Sequence, residues 1–215
     1  MKIVIFGASG RAGSGVLKTS LGSPEVDEVR AITRRPLAVN NAKLHTFLHP
    51  DYLDYAAVSE AFTGVDACFY CLGVSATQVS GEAEYRRITY DFALAAAHLL
   101  KLQSPEAVFH FISGRSTDLN SRFMWARVKA ETERDLMQLT KTVCWRPAYI
   151  DGELSTNSPR LLRVVRPLMR LLQAVPSLYV HAEDIGRAML QATRENMQGR
   201  IIENPEIRAL AARNH

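Results

Sequence analysis

The stretch Lys2-Ile3-Val4-Ile5-Phe6-Gly7-Ala8-Ser9-Gly10-Arg11-Ala12-Gly13 decides the fold. An apolar, β-branched run stops at a loop with glycine at 7, 10 and 13, and a helix-period segment follows at 12–21. Each glycine has a mechanical use at such a corner. One makes the tight turn, another lets the backbone approach a pyrophosphate, and a third lets helix and strand pack closely. A helix that starts there also turns its free N–H groups and positive dipole end toward phosphate. An ordinary glycine-rich turn needs no strand before it, no helix after it and no second strand at 28–33, and this loop has all three. The expectation is a dinucleotide-binding loop, with Gly7, Ser9, Gly10, Arg11, Ala12 and Gly13 at the cofactor.

Working outward, the same alternation continues. Strands are predicted near 2–6, 28–33, 43–48, 66–72, 107–112, 142–147 and 200–203, and helices near 12–21, 54–63, 82–102, 121–139, 160–173 and 182–195. Several of the strands are unbroken apolar runs, which suits a parallel sheet covered by helices on both faces. The fold class is therefore α/β, a doubly wound parallel sheet of the Rossmann type. At 215 residues the chain fits one domain, 1–215, with 151–180 as a small C-terminal substrate-side extension. Its 47% hydrophobic and 22% charged residues exclude the disordered and fibrous classes.

The second strand ends in Ile32-Thr33-Arg34-Arg35-Pro36. Loops selective for NAD carry an acid about twenty residues on, to bond the ribose 2′-hydroxyl. Here two guanidiniums stand in its place. With Arg11 they would complement a 2′-phosphate through bidentate, charge-assisted bonds, so NADP is expected over NAD; the competing reading is a solvated turn.

Other features set limits. The net charge of +4 is too small to argue for nucleic acid, although residues 156–215 hold nine arginines against five acids. Three cysteines give no disulfide framework, since Cys68 and Cys71 would point to opposite faces of one strand. The six histidines form no ligand pair at helical spacing, and no metal site is expected. No apolar run reaches the roughly 18 residues of a membrane span, and the expected location is the cytoplasm. Arg160, Arg163, Arg166 and Arg170 recur opposite a leucine- and valine-rich face. The arginine face of this amphipathic helix reads as solvated, as a subunit or substrate contact, or as a surface for anionic membrane.

These motifs resemble the atypical branch of the short-chain dehydrogenase/reductase superfamily, the NAD(P)H-binding Tat-interacting-protein-like and NmrA-like proteins. The resemblance rests on the glycine loop, Asp51-Tyr52, Gly64-Val65-Asp66-Ala67, Cys71-Leu72-Gly73, Phe111-Ile112-Ser113-Gly114, Lys129, Arg146-Pro147 and Glu183-Asp184-Ile185. It implies that Asp51 meets the adenine with Tyr52 also at the cofactor, that Leu72 and Gly73 line the central groove, and that Arg146 and Pro147 shape the nicotinamide end. In that superfamily a Tyr-x-x-x-Lys pair on one helical face works with a serine after the fifth strand. Here the segment is Trp125-Ala126-Arg127-Val128-Lys129, so the lysine is present and the tyrosine is not. An indole donates a hydrogen bond but is no acid near neutral pH. Ser113 is the first match to the serine and Ser116 the second. The implied catalytic set is Ser113, Trp125 and Lys129, with Lys129 also on the cofactor ribose. Two functions follow: hydride transfer to a small-molecule acceptor that needs no tyrosine, such as a quinone, flavin or conjugated system, or redox-state sensing without catalysis. A homodimer or a protein partner is compatible with either.

Overall fold

A computed structural model describes residues 1–152 and 175–213. Seven parallel strands form one sheet in the order β3-β2-β1-β4-β5-β6-β9. They are β1 (Lys2–Phe6), β2 (Glu28–Thr33), β3 (Leu44–Leu48), β4 (Ala67–Tyr70), β5 (Val108–Ile112), β6 (Thr142–Arg146) and β9 (Arg200–Glu203). The order reverses beside β1, which opens a crevice at the carboxyl ends of β1 and β4, where doubly wound sheets take their ligands. Strand alternation divides the core in two. Ile3, Ile5, Phe69, Val143 and Trp145 face α1 (Arg11–Gly22), α5 (Ala182–Arg194) and α6 (Asn204–Ala212). Val4, Phe6, Cys68, Tyr70, Phe109 and Cys144 face a 3-10 helix at Ala56–Phe62, α3 (Phe92–Gln103) and α4 (Met124–Leu139).

The predicted strands and the doubly wound order are borne out. The helix expected at 54–63 is 3-10, with Val58 outside helical geometry. The one expected at 82–102 is broken into α2 (Glu82–Arg86), a π turn at Arg87–Asp91, and α3. Four elements among the described residues were not expected: a short 3-10 helix at Ala76–Gln78, β7 (Tyr149–Asp151) and β8 (Tyr179–His181), paired in parallel, and α6. The arginine-faced helix of 160–173 and most of the 151–180 extension lie outside the described residues. No helix among the described residues is long and apolar enough to cross a membrane.

α1 and α5 cross closely because glycines meet at the crossing. A Cβ on Gly15 would come within 2.6 Å of the Ala182 backbone, and one on Gly186 within 3.0 Å of the Val16 Cα. α5 therefore buttresses the helix that carries the glycine loop.

Candidate functional site

The three glycines of the loop have separate tasks. Gly7 adopts φ +68°, and a Cβ there would lie 2.6 Å from the Cys71 carbonyl oxygen. A Cβ on Gly13 would lie 2.7 Å from the Gly7 carbonyl carbon and nearer still to its oxygen. Those two hold the turn against β4 and against itself. Gly10 differs: its backbone is extended, φ −83° and ψ 172°, and a Cβ would meet only the Gly7 oxygen at 3.1 Å. It caps α1 without a side-chain bond, so the first-turn N–H groups of Arg11, Ala12 and Gly13 have no helical acceptor. Ser9 is exposed at the loop tip, while Ala12 and Gly13 are buried beneath it.

Arg11 carries a buried Nε that finds no hydrogen-bond partner among the described residues. A buried charge-bearing donor left unmatched is costly, and an anion over the loop would match it. Arg34 and Arg35 are exposed at the end of β2, on a turn that the Thr33 hydroxyl fixes by donating to the Arg35 carbonyl. The loop after β3 meets them there, where the Thr33 carbonyl accepts the His49 N–H at 2.8 Å. Asp51 is exposed in that loop and accepts the Leu53 N–H. Tyr52, expected at the cofactor, is corrected to a core ring. It packs edge-on to Phe6 and Phe92 and stacks on Tyr55. Burial pushes its phenol above the ordinary value, with the Arg34 cation acting in the opposite sense. Beyond β4, Leu72 packs at the core margin and a Cβ on Gly73 would meet nothing, which leaves that part of the groove open.

At the far end, β5 delivers Ser113 and Gly114, and α4 delivers Trp125 and Lys129 one turn apart. The Lys129 ammonium donates to the Ser113 carbonyl at 2.6 Å. Burial pulls it down to about 8, with Glu133 raising it in part. Trp125 is half-buried and lies over the exposed Phe123 ring, centroids 6.3 Å apart and planes 23° apart. Two expectations are corrected here. The Thr117 hydroxyl donates to the Gly114 carbonyl at 2.7 Å, so the Ser113 hydroxyl, 3.1 Å from the Thr117 oxygen, spends its own proton on Thr117. Ser113 can therefore meet an acceptor only as a lone pair. Ser116, the second choice, is exposed with φ +67°, an uncommon conformation for serine. Arg146 does not turn its guanidinium to the site. It makes two bonds to the buried Glu133, at 3.0 and 2.6 Å, and a third to Glu203, tying β6 to α4 and β9. Pro147 stays at the site end, its carbonyl holding the Arg115 N–H at 3.0 Å.

Two residues at this end went unread in the sequence. Gly152 abuts the Arg11 carbonyl so closely that a Cβ there would lie 3.1 Å from its carbon, which seats the start of the extension directly on the glycine loop. Asn204 is buried, and its side chain bonds Ala148, Pro176 and Tyr179, pinning both ends of the extension to α6. The Asn204-Pro205 pair was the available signal, since proline favours the first turn of a helix.

Comparison with known proteins supplies the rest. Residues 3–117 match the NAD dependent epimerase/dehydratase family. The chain is 25% identical to the protein FMP52, mitochondrial, of Eremothecium gossypii, over 98% of this chain and 97% of the relative. It is 30% identical to the protein HTATIP2 of Rattus norvegicus, over 64% of this chain and 57% of that one. Its fold resembles UDP-glucose 4-epimerase of Thermotoga maritima with a TM-score of 0.73, at 16% identity, over 94% of this chain and 76% of the other. These matches bear out the resemblance to the atypical short-chain dehydrogenase/reductases. They overturn the expected cytoplasmic location, because the fungal relative is named as mitochondrial.

Proposed function

Because the chain belongs to the NAD-dependent epimerase/dehydratase family of nicotinamide-dinucleotide oxidoreductases, we propose that it is an NADP(H)-dependent oxidoreductase acting on an acceptor that needs no tyrosine proton donor. One observation supports the cofactor half of this reading: Arg34 and Arg35 are exposed at the end of β2, Arg11 in the glycine loop has a buried Nε without a partner, and among the described residues no ion pair to a carboxylate is formed by any of the three. A 2′-phosphate fits that set, and a bare ribose hydroxyl would leave it repelling itself. When bound, the nicotinamide supplies a hydride. The protein's own residues hold the rest: the α1 N-terminus faces the pyrophosphate, Lys129 reaches the ribose side from α4, and Trp125 offers a flat wall. A planar conjugated acceptor, a quinone or flavin, stacks on such a wall. The mitochondrial name of the fungal relative supports the same compartment for this chain.

NADPH is expected to bind at least about tenfold more tightly than NADH, or about 1.4 kcal/mol. In calorimetry, Arg34→Ala with Arg35→Ala should weaken NADPH strongly and leave NADH little changed. Equal losses for both cofactors would sink the assignment. Turnover is read by loss of reduced-cofactor absorbance against quinones, flavins and carbonyls. Trp125→Tyr restores a phenol one turn before the lysine and is expected to raise carbonyl reduction by about tenfold or more, less than the roughly hundredfold at which a well-positioned general acid begins to contribute. A variant that folds, binds NADPH and reduces carbonyls no faster would show that the tyrosine position lies away from the acceptor.

The second reading, a sensor of NADP(H) redox state, is favoured by the committed Ser113 hydroxyl and the indole at 125. Tight binding with no turnover against any acceptor is its signature.

A further inference from the structure

We propose that Lys129 is itself the proton donor to the reduced acceptor, in the role that the absent tyrosine would fill; this rests on the oxidoreductase reading. At the end of β5 only one group has a proton to give. The Thr117 proton goes to the Gly114 carbonyl and the Ser113 proton goes to Thr117. The Trp125 N–H is not released near neutral pH. Lys129 spends one of its three N–H bonds on the Ser113 carbonyl; with a second given to the ribose, it keeps a third for the acceptor. A Cβ at 114 would stand 3.4 Å from the Lys129 Nζ and would meet nothing else within 4 Å, so the ammonium borders the space beside Gly114.

The step balances. As hydride bonds to the acceptor carbon of a carbonyl, or to a quinone, the developing oxyanion takes one proton from the ammonium. The products are the alcohol or hydroquinone, oxidised cofactor and a neutral Lys129 amine, which water reprotonates. Burial makes the ammonium a more willing donor than an exposed lysine, since it holds its proton only to about pH 8. The charges around it are few. Glu133, on the same helix, is the charge that acts on it, and Glu133 is itself ion-paired with Arg146 from β6. The loop from β5 presents the Ser113 carbonyl and two hydroxyls. From α2 and the π turn, Glu82, Arg86 and Tyr90 are engaged with Arg127, Glu131 and Asp135 of α4.

The test has three parts, all on the full chain. The Lys129 Cε–Hε resonance of lysine-labelled protein without cofactor should titrate near pH 8. Single-turnover oxidation of NADPH by a carbonyl or quinone should be flat below that pH and fall tenfold per unit above it, because the acid form is the active one. Lys129→Arg keeps the positive charge but yields no proton; it should bind NADPH within about tenfold of wild type and lose the break in the profile, with turnover down at least about a hundredfold. A Lys129 resonance titrating above pH 10 would overturn the proposal, as would Lys129→Arg turning over at the wild-type rate or a wild-type rate independent of pH. If Lys129→Arg does not fold, the resonance and the wild-type profile decide alone. Tight NADPH binding with no turnover in the wild-type chain would instead remove the oxidoreductase reading, and this proposal with it, an outcome distinct from turnover that ignores Lys129.

Discussion

Gly13→Val is expected to yield no folded protein, whereas Gly10→Val should fold and bind neither NADPH nor NADH. A side chain at 13 would drive into the Gly7 carbonyl, which is backbone and cannot move aside. That carbonyl also accepts the Gly10 N–H at 2.8 Å, so moving it opens the turn. The expected loss exceeds about 4 kcal/mol, a large share of the stability of a domain this size. Gly10 has extended dihedrals that valine shares, and its nearest obstacle is one oxygen at 3.1 Å. Its side of the loop is the side a pyrophosphate must approach. Circular dichroism should show Gly10→Val folded with a melting point a few degrees low, while calorimetry finds no cofactor binding. Unchanged affinity in that variant would reduce the loop to a turn.

The contrast shows which parts of the molecule a sequence displays. The glycine spacing was legible because a strand-loop-helix corner is local, and its geometry follows from residues within one turn of each other. The central strands were legible for a related reason, since a strand covered on both faces shows as a continuous apolar run. β7 and β8 left no trace because three residues are too few to show a period. The π turn at Arg87–Asp91 was hidden because one inserted residue barely shifts an apolar pattern. Within the site, what failed was long-range pairing. Arg146 looked available for a ligand because nothing near it in the chain names Glu133, thirteen residues back on another element, as its partner. Tyr52 was placed at the cofactor through its pairing with Asp51, while its ring is claimed by Phe6 and Phe92, forty-six residues before it and forty after. Ser113 was found as a residue, but the direction of its proton depends on where Thr117 sends its own.

His110 should make the protein lose about 1.4 kcal/mol of stability for each pH unit below about 6.5, down to about 3. The residue is fully buried in the middle of β5, between Phe69 and the stacked Trp145 indole. Its hydrogen bonds fix one neutral tautomer. The Thr193 hydroxyl donates to the Met189 carbonyl, so the His110 Nε2–H must donate to the Thr193 oxygen, 3.0 Å away. The Trp145 N–H donates to Nδ1 at 3.1 Å. A second proton would have to go on Nδ1, facing that N–H, in a site without a carboxylate partner. Burial accordingly pulls the imidazole down to about 3. The sign follows: between 6.5 and 3 the unfolded chain takes up a proton that the native chain refuses, so stability is complete above 6.5 and falls with pH through that window. Over the whole range the loss is about 5 kcal/mol, comparable with the total stability of many domains. Urea unfolding at pH 7 and pH 4.5 measures it, and His110→Gln, which cannot titrate but can still accept from Trp145, should lose less by about 2.7 kcal/mol over that interval. Equal losses in the two proteins, or a His110 ring resonance that titrates near pH 6.5 in the native state, would mean that the imidazole reaches water and that the contacts linking β5, β6 and α5 open far more readily than their geometry implies.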